Sequence, residues 1–319
     1  MDAFINGLAY TLSYLPISVQ AKTWRTLANA AVYTGGGGAY EERPLNTKAG
    51  PVRLLMYKPE TSTAKAPWPV YYNIHGGGWT IGRPEMDNFW CRRVADEVGC
   101  VVVAVDYCKA PEHPYPEALE QCYEILRWIA DTSADGGATL CSLNPEKVAI
   151  GGFSAGGNLT LTTALKFIQD KDISAKLVLL NAIYPAIDLV TPYADKMKRV
   201  SPHVQTKSIP EPMAHLYNVA YTVPGREGEP LCSPKYASNG DLAQFPRTLV
   251  LAADLDCLYV EAQEFADQLR QAGVDVVFQL YPNSIHGFTY RRPGQPDYNP
   301  ETKEASIVLS MSELKKAFA

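Results

Sequence analysis

Five residues near the middle of the chain, Gly152-Phe153-Ser154-Ala155-Gly156, have the spacing of a nucleophile elbow. In such a turn a serine sits between a strand and a helix, flanked by glycines where a crowded backbone leaves no room for Cβ atoms. Its hydroxyl then projects from the sheet at a helix N-terminus, which favours negative charge. The pattern alone is weak, with about 0.1 chance matches expected in a chain of this length. Its position gives it weight: it follows the apolar run Val148–Gly151 and opens the helical stretch Ala155–Gln169. A serine hydroxyl is a poor nucleophile at its free pKa. It needs a base, and the base needs an orienting carboxylate. Of the five histidines, His286 is the one that lies late in the chain, beside a glycine and after the last strand-like run. It is the candidate base. Asp254 and Asp256 both follow the run Thr248–Ala252, and local pattern does not separate them as the carboxylate.

A second glycine-rich stretch, His75-Gly76-Gly77-Gly78-Trp79, follows the run Val70–Ile74. Consecutive glycines let backbone N–H groups point into a cavity. An oxyanion hole requires such donors, about 3 Å from the developing charge. A phosphate-binding loop is the competing reading. It is weaker, because no G-K-[ST] or G-x-G-x-x-G follows and no acidic ribose partner is present. His75 is expected to orient the loop rather than carry a proton. Trp79 is a candidate for the substrate pocket, together with Tyr10, Tyr14, Tyr217 and Tyr221, although core packing would account for these rings equally well.

These residues need a scaffold that brings several loop ends to one place. Seven short apolar runs alternate with helical patterns: Val52–Tyr57, Val70–Ile74, Val101–Val105, Val148–Gly151, Leu177–Ile183, Thr248–Ala252 and Val274–Tyr281. Several are continuous Val/Ile/Leu stretches, as in strands covered on both faces. Helices are expected at Met86–Val98, Pro116–Thr132, Ala155–Gln169, Val260–Ala272 and from about Lys303 to Ala319. The alternation predicts one α/β domain over residues 1–319, with a mostly parallel central sheet and helices on both faces. Sites in such sheets lie beyond the C-terminal ends of the strands. Two stretches break the alternation. Residues 1–40 are helical and end in Gly35–Gly38, a flexible joint. Residues 190–246 are long and proline-punctuated. Both read as cap elements over the sheet edge.

Composition excludes several other functions. The net charge is −5, and no Lys/Arg cluster stands out, so neither nucleic acid nor an anionic membrane is an expected partner. The seven cysteines are irregularly spaced and include no C-x-x-C, which argues against zinc and thioredoxin-type sites. They suit small buried hydrophobes in a reducing, cytoplasmic setting. No run of 18 apolar residues predicts a membrane span. The start, Met1-Asp2, lacks a basic n-region, so residues 3–19 read as an amphipathic helix rather than a signal peptide. No metal or organic cofactor is required by this chemistry. A monomer and a homodimer are both compatible with the pattern.

From about residue 50 onward the chain resembles the hormone-sensitive-lipase-like esterases of the α/β-hydrolase superfamily. The likeness rests on His75-Gly76-Gly77-Gly78, on Asp106-Tyr107-Cys108-Lys109-Ala110-Pro111, on Gly152–Gly157 with Asn158-Leu159, and on His286-Gly287-Phe288. It implies the α/β-hydrolase fold with a helical cap, and a triad of Ser154, Asp256 and His286. It favours Asp256 because Leu258 stands two residues later, as in the family. It implies oxyanion donors at Gly77, Gly78 and Ala155, and hydrolysis of small to medium carboxylic esters through an acyl-enzyme. The same triad would serve an amidase, a lactonase, an acyltransferase or a metabolite-tailoring enzyme. A non-catalytic small-molecule receptor is a further alternative. Four positions depart from the family's pattern: Phe153 where an acid is usual, Cys108 where Arg is common, Cys257 where Pro is common, and Val260 where a second Asp is frequent.

Overall fold

The computed structural model describes residues 2–31, 38–60, 65–170 and 173–319. The expected joint at Gly35–Gly37 lies outside them. Eight strands form one sheet: β1 (Glu41–Thr47), β2 (Gly50–Tyr57), β3 (Trp68–Ile74), β4 (Val101–Asp106), β5 (Leu143–Phe153), β6 (Leu177–Ile183), β7 (Thr248–Leu255) and β8 (Val276–Ile285). Their order is β1-β2-β4-β3-β5-β6-β7-β8. The β1–β2 and β2–β4 pairs are antiparallel. All the others are parallel, which puts the C-terminal ends of β3, β5, β7 and β8 on one edge.

The continuous apolar runs are continuous because both sheet faces are covered. In β4, Val101, Val103 and Val105 face a core that holds Leu119, Leu159 and Phe265. Val102 and Ala104 face the other side, against Trp90, Ile307 and Leu314. Helices Glu117–Ala130, Ala155–Gln169 and Tyr259–Gln271 cover the first face. Helices Asn88–Val94 and Pro300–Phe318 cover the second. Each fully buried Val or Leu in these layers contributes roughly 1.5–3 kcal/mol relative to exposure.

Two elements differ from expectation. Strand β1 was not foreseen: its sequence, EERPLNT, is polar and contains Pro44. It is an edge strand with one neighbour, where a missing N–H and an exposed face are tolerated. The single helix expected over Met86–Val98 is three pieces. A 3-10 turn (Pro84–Asp87) leads into the helix Asn88–Val94, and a π turn (Ala95–Gly99) ends it. The two irregular stretches are helical. The first forms Asp2–Leu12 and Ile17–Ala31. The second contains Tyr193–Lys198, Pro202–Lys207 and Glu211–Tyr221. Helix Ile17–Ala31 packs against Glu211–Tyr221, so the two stretches form one layer. No described helix is long and apolar enough to cross a membrane.

Candidate active site

Ser154 stands where β5 turns into the helix Ala155–Gln169, with φ 54° and ψ −115°. This strained conformation is held because the turn presses edge-on against β3. A Cβ on Gly156 would lie 2.0 Å from the Ile74 carbonyl oxygen, and one on Gly152 2.5 Å from the same atom. The Ser154 N–H donates to the Ile183 carbonyl of the neighbouring strand at 2.8 Å. The hydroxyl is left to point out of the sheet.

His286 directly follows β8. Its Nε2 is 2.7 Å from Ser154 Oγ, and its Nδ1 is 2.6 Å from Asp256 Oδ2. With Nδ1 protonated, Nε2 is free to accept the serine proton. Asp256 is 1% exposed, and its other oxygen accepts the Leu258 N–H at 3.2 Å. Asp254, the alternative acid, faces elsewhere: its Oδ1 accepts the Ser284 N–H at 3.1 Å, which braces the histidine loop. The Tyr184 ring stands edge-on to His286 at 5.0 Å.

The loop after β3 lies across the serine. Gly77 and Gly78 have φ of 123° and 56°, and a Cβ on Gly78 would lie 2.2 Å from the Tyr217 ring. Among the described residues, no acceptor takes the N–H groups of Gly77, Gly78 or Ala155, so these donors are available to a ligand. His75 is fully buried and stacks on Tyr107 at 4.4 Å. Its Nδ1 donates to the Gly76 carbonyl at 2.6 Å. Burial, with the nearby Lys109 ammonium, pushes its pKa down to about 3, so it is a neutral spacer out of reach of substrate. The Gly76 N–H also reaches Tyr290 Oη at 3.4 Å.

Trp79 lies flat on Tyr221, with centroids 4.3 Å apart, and forms part of a cavity wall. Of the candidate tyrosines, Tyr217 lines both cavities beside Ser154, and Tyr221 is buried behind Trp79. Tyr10 and Tyr14 are 57% and 90% exposed and line neither cavity, which corrects the pocket expectation for that pair. They sit on the solvent side of the layer.

The four departures have visible replacements. Phe153 packs among Trp90, Tyr184 and Tyr290, with centroids 5.1–6.1 Å away. A buried acid does stand nearby, but it comes from another segment. Asp87 accepts from Asn73 Nδ2 at 2.7 Å and from the Tyr290 hydroxyl. Burial pushes Asp87 up to about 7. Sequence reasoning missed it, because its segment reads as an amphipathic helix. The Cys108 N–H donates to Gln121 Oε1 at 2.6 Å. The Lys109 ammonium next to it sits 3.9 Å over the Tyr107 ring. Cys257 is buried; its N–H donates to Ser208 Oγ at 2.9 Å, and burial pushes its thiol up to about 12. Val260 packs on the small cluster of Val200, Cys257 and Leu258. All seven cysteines are free.

Two cavities meet at Ser154. One, of about 60 Å³, has walls from Trp79, Ala155, Leu189, Ala214 and Leu258. The other, of about 350 Å³, is bounded by Gly77, Met86, Ser208, His286 and Tyr290. A buried ion pair contributes to the wall of the small cavity. Lys196 Nζ is 2.6 Å from Glu261 Oε2, and Glu261 also accepts the Ile187 N–H at 2.8 Å.

A mostly parallel sheet of this order, with a serine at the turn after its central strand, defines an α/β hydrolase. Residues 71–290 match the sequence profile of a family described as having the alpha/beta hydrolase fold. The chain belongs to this family, the hormone-sensitive-lipase-like branch of the superfamily. An AB hydrolase superfamily protein of Schizosaccharomyces pombe is 28% identical over 232 residues, 72% of this chain and 66% of that protein. Carboxylesterase NlhH of Mycobacterium tuberculosis is 29% identical over 245 residues, 75% of this chain and 70% of its own. The aligned part thus spans about two thirds of the length of these relatives. A hyperthermophilic esterase from Pyrobaculum calidifontis superposes with a TM-score of 0.80 at 27% identity, covering 99% of this chain and 98% of that one.

Proposed function

We propose that the chain is a serine carboxylesterase that hydrolyses small to medium esters. The observation that carries this reading is the unbroken line Asp256–His286–Ser154, with contacts of 2.6 and 2.7 Å, ending beside free N–H groups. Ser154 Oγ attacks the ester carbonyl while His286 Nε2 takes its proton. The oxyanion sits on the N–H groups of Gly77, Gly78 and Ala155, each of which stabilises the transition state by about 2.7–4 kcal/mol. His286 then gives the proton to the leaving alcohol. Asp256 holds the imidazole tautomer and stabilises the imidazolium. Water, activated by the same histidine, releases the acid. The helical layer formed by residues 2–31 and 193–221 acts as the cap.

Hydrolysis of p-nitrophenyl acetate by the wild type and by Ser154→Ala tests the reading. Turnover should be lost by several orders of magnitude in the variant. An organophosphonate should label the wild type once, at Ser154. A folded wild type that is inert and unlabelled overturns the proposal.

A further inference from the structure

Asp256 stands just past the end of β7, with only Cys257 and Leu258 between it and the helix Tyr259–Gln271. The peptide unit that joins Asp256 to Cys257 is planar, so its carbonyl and its N–H turn together. The helix holds one side of that plane: the Asp256 carbonyl accepts the Tyr259 N–H at 3.0 Å. The other side is held from outside the loop. The Cys257 N–H donates to Ser208 Oγ at 2.9 Å. Ser208 ends the helix Pro202–Lys207 of the layer above. Its hydroxyl donates in turn to the Val204 carbonyl, also at 2.9 Å, which leaves a lone pair for Cys257.

Side chains meet at the same point. Cys257 and Leu258 form an apolar cluster with Val200 of the layer, and Met197, Val204 and Val260 pack on it. The Tyr193 hydroxyl donates to the carbonyl of Ile209, the residue after Ser208, at 2.7 Å, and meets the Cys257 thiol. Two of the four departures from the family's pattern, Cys257 and Val260, thus lie in one contact. Proline at 257 would have no N–H to give. A carboxylate at 260 would lose the apolar packing.

We propose that Ser208 is a positioning residue for the triad. By holding the Cys257 N–H it fixes the peptide plane next to Asp256. That plane sets the direction from which Asp256 Oδ2 meets His286 Nδ1 at 2.6 Å. Asp256 orients the imidazole and stabilises the imidazolium, and both depend on where its carboxylate points. Ser208 belongs to the layer by chain position and to the catalytic loops by what it holds. This inference rests on the esterase reading and adds a residue outside the triad that governs proton transfer within it. Ser208 also borders the large cavity, so contact with the substrate is a competing role. The two roles separate in kinetics, because lost positioning lowers kcat whereas a lost substrate contact raises KM.

Kinetics of p-nitrophenyl acetate hydrolysis by Ser208→Ala and Ser208→Thr test the proposal. A catalytic group misplaced by about 1 Å costs about 10²-fold, so Ser208→Ala should lower kcat about 10–100-fold with little change in KM. Ser208→Thr keeps the hydroxyl and should restore most of the lost rate. Cys257→Pro removes the donor at the other end of the bond. A variant carrying both Ser208→Ala and Cys257→Pro should lose no more than Cys257→Pro alone, because both changes break one contact. Where Cys257→Pro does not fold, the two Ser208 variants decide alone. Wild-type kcat in Ser208→Ala, a raised KM at unchanged kcat, equal losses in the alanine and threonine variants, or fully additive losses in the double variant each overturn the proposal and leave the esterase reading intact. A folded wild type that neither hydrolyses the ester nor takes an organophosphonate counts against the esterase reading itself.

Discussion

The loops at the sheet edge and the helices above them meet at Ser154, but they are held in place by different means. The loops are fixed by backbone. Gly152 and Gly156 leave no room for a Cβ beside the Ile74 carbonyl, and the Ser154 N–H bonds to the Ile183 carbonyl. The helices are fixed by side chains reaching across long sequence gaps: Lys196 to Glu261, Lys207 to Asp297, Trp79 against Tyr221. Backbone packing leaves few substitutions open, while side-chain contacts can be exchanged one at a time. The loops should therefore determine whether a bond is broken, and the helices which molecule is admitted.

The strongest way to break this division is to remove the proposed nucleophile. Ser154→Ala should lower kcat by about 10⁵–10⁶ on every ester, whatever its size, as measured by burst and steady-state kinetics. A loss confined to some esters would put substrate selection into the loops. Next, Lys196→Met leaves Glu261 buried and unpaired, which costs about 3–5 kcal/mol of stability. Urea melts should show it, and the surviving folded enzyme should keep its turnover of acetyl esters. Third, Gly78→Ala places a methyl group 2.2 Å from the Tyr217 ring in a left-handed turn. It should reduce kcat about 10²–10³-fold across all esters, the cost of a displaced oxyanion donor.

A smaller effect concerns the ground beneath the loops. Burial raises Asp87 from 3.8 to about 7. Well below pH 3.8 the group is protonated in both the folded and unfolded chain and costs nothing. As pH rises towards 7 the unfolded chain gives up its proton and the folded one does not, so stability falls with pH and then levels off. Asp87→Asn removes that dependence. Its melting temperature should match the wild type well below pH 3.8 and exceed it above pH 7; a constant offset would show that Asp87 titrates normally.

The loops were legible in sequence and the helices largely were not. Ser154, His286 and the Gly76–Gly78 run are short-range patterns pinned to strand ends by the alternation itself. Asp254 and Asp256 could not be separated that way, because both stand just past the same apolar run with no local pattern to tell them apart. In the structure β7 runs to Leu255, so Asp254 is still on the strand and takes the Ser284 N–H, whereas Asp256 lies past its end and meets His286. Lys196 and Glu261 are 65 residues apart, and nothing local marks either one. Strand β1 escaped for a related reason: an edge strand exposes too much of itself to carry an apolar run. Asp87 was hidden by a helical rhythm that the structure breaks into three turns.

One contact has practical weight for anyone who handles this enzyme. Arg25, on the helix Ile17–Ala31, forks onto the carbonyls of Thr80 and Ala110 and onto Glu112. Those carbonyls belong to the segments that carry Trp79 and the turn beside it. A change that displaced this helix would remove those bonds from the segment that carries Trp79, a wall of the cavity beside Ser154. Its expected signature is an altered preference among ester substrates in the assay.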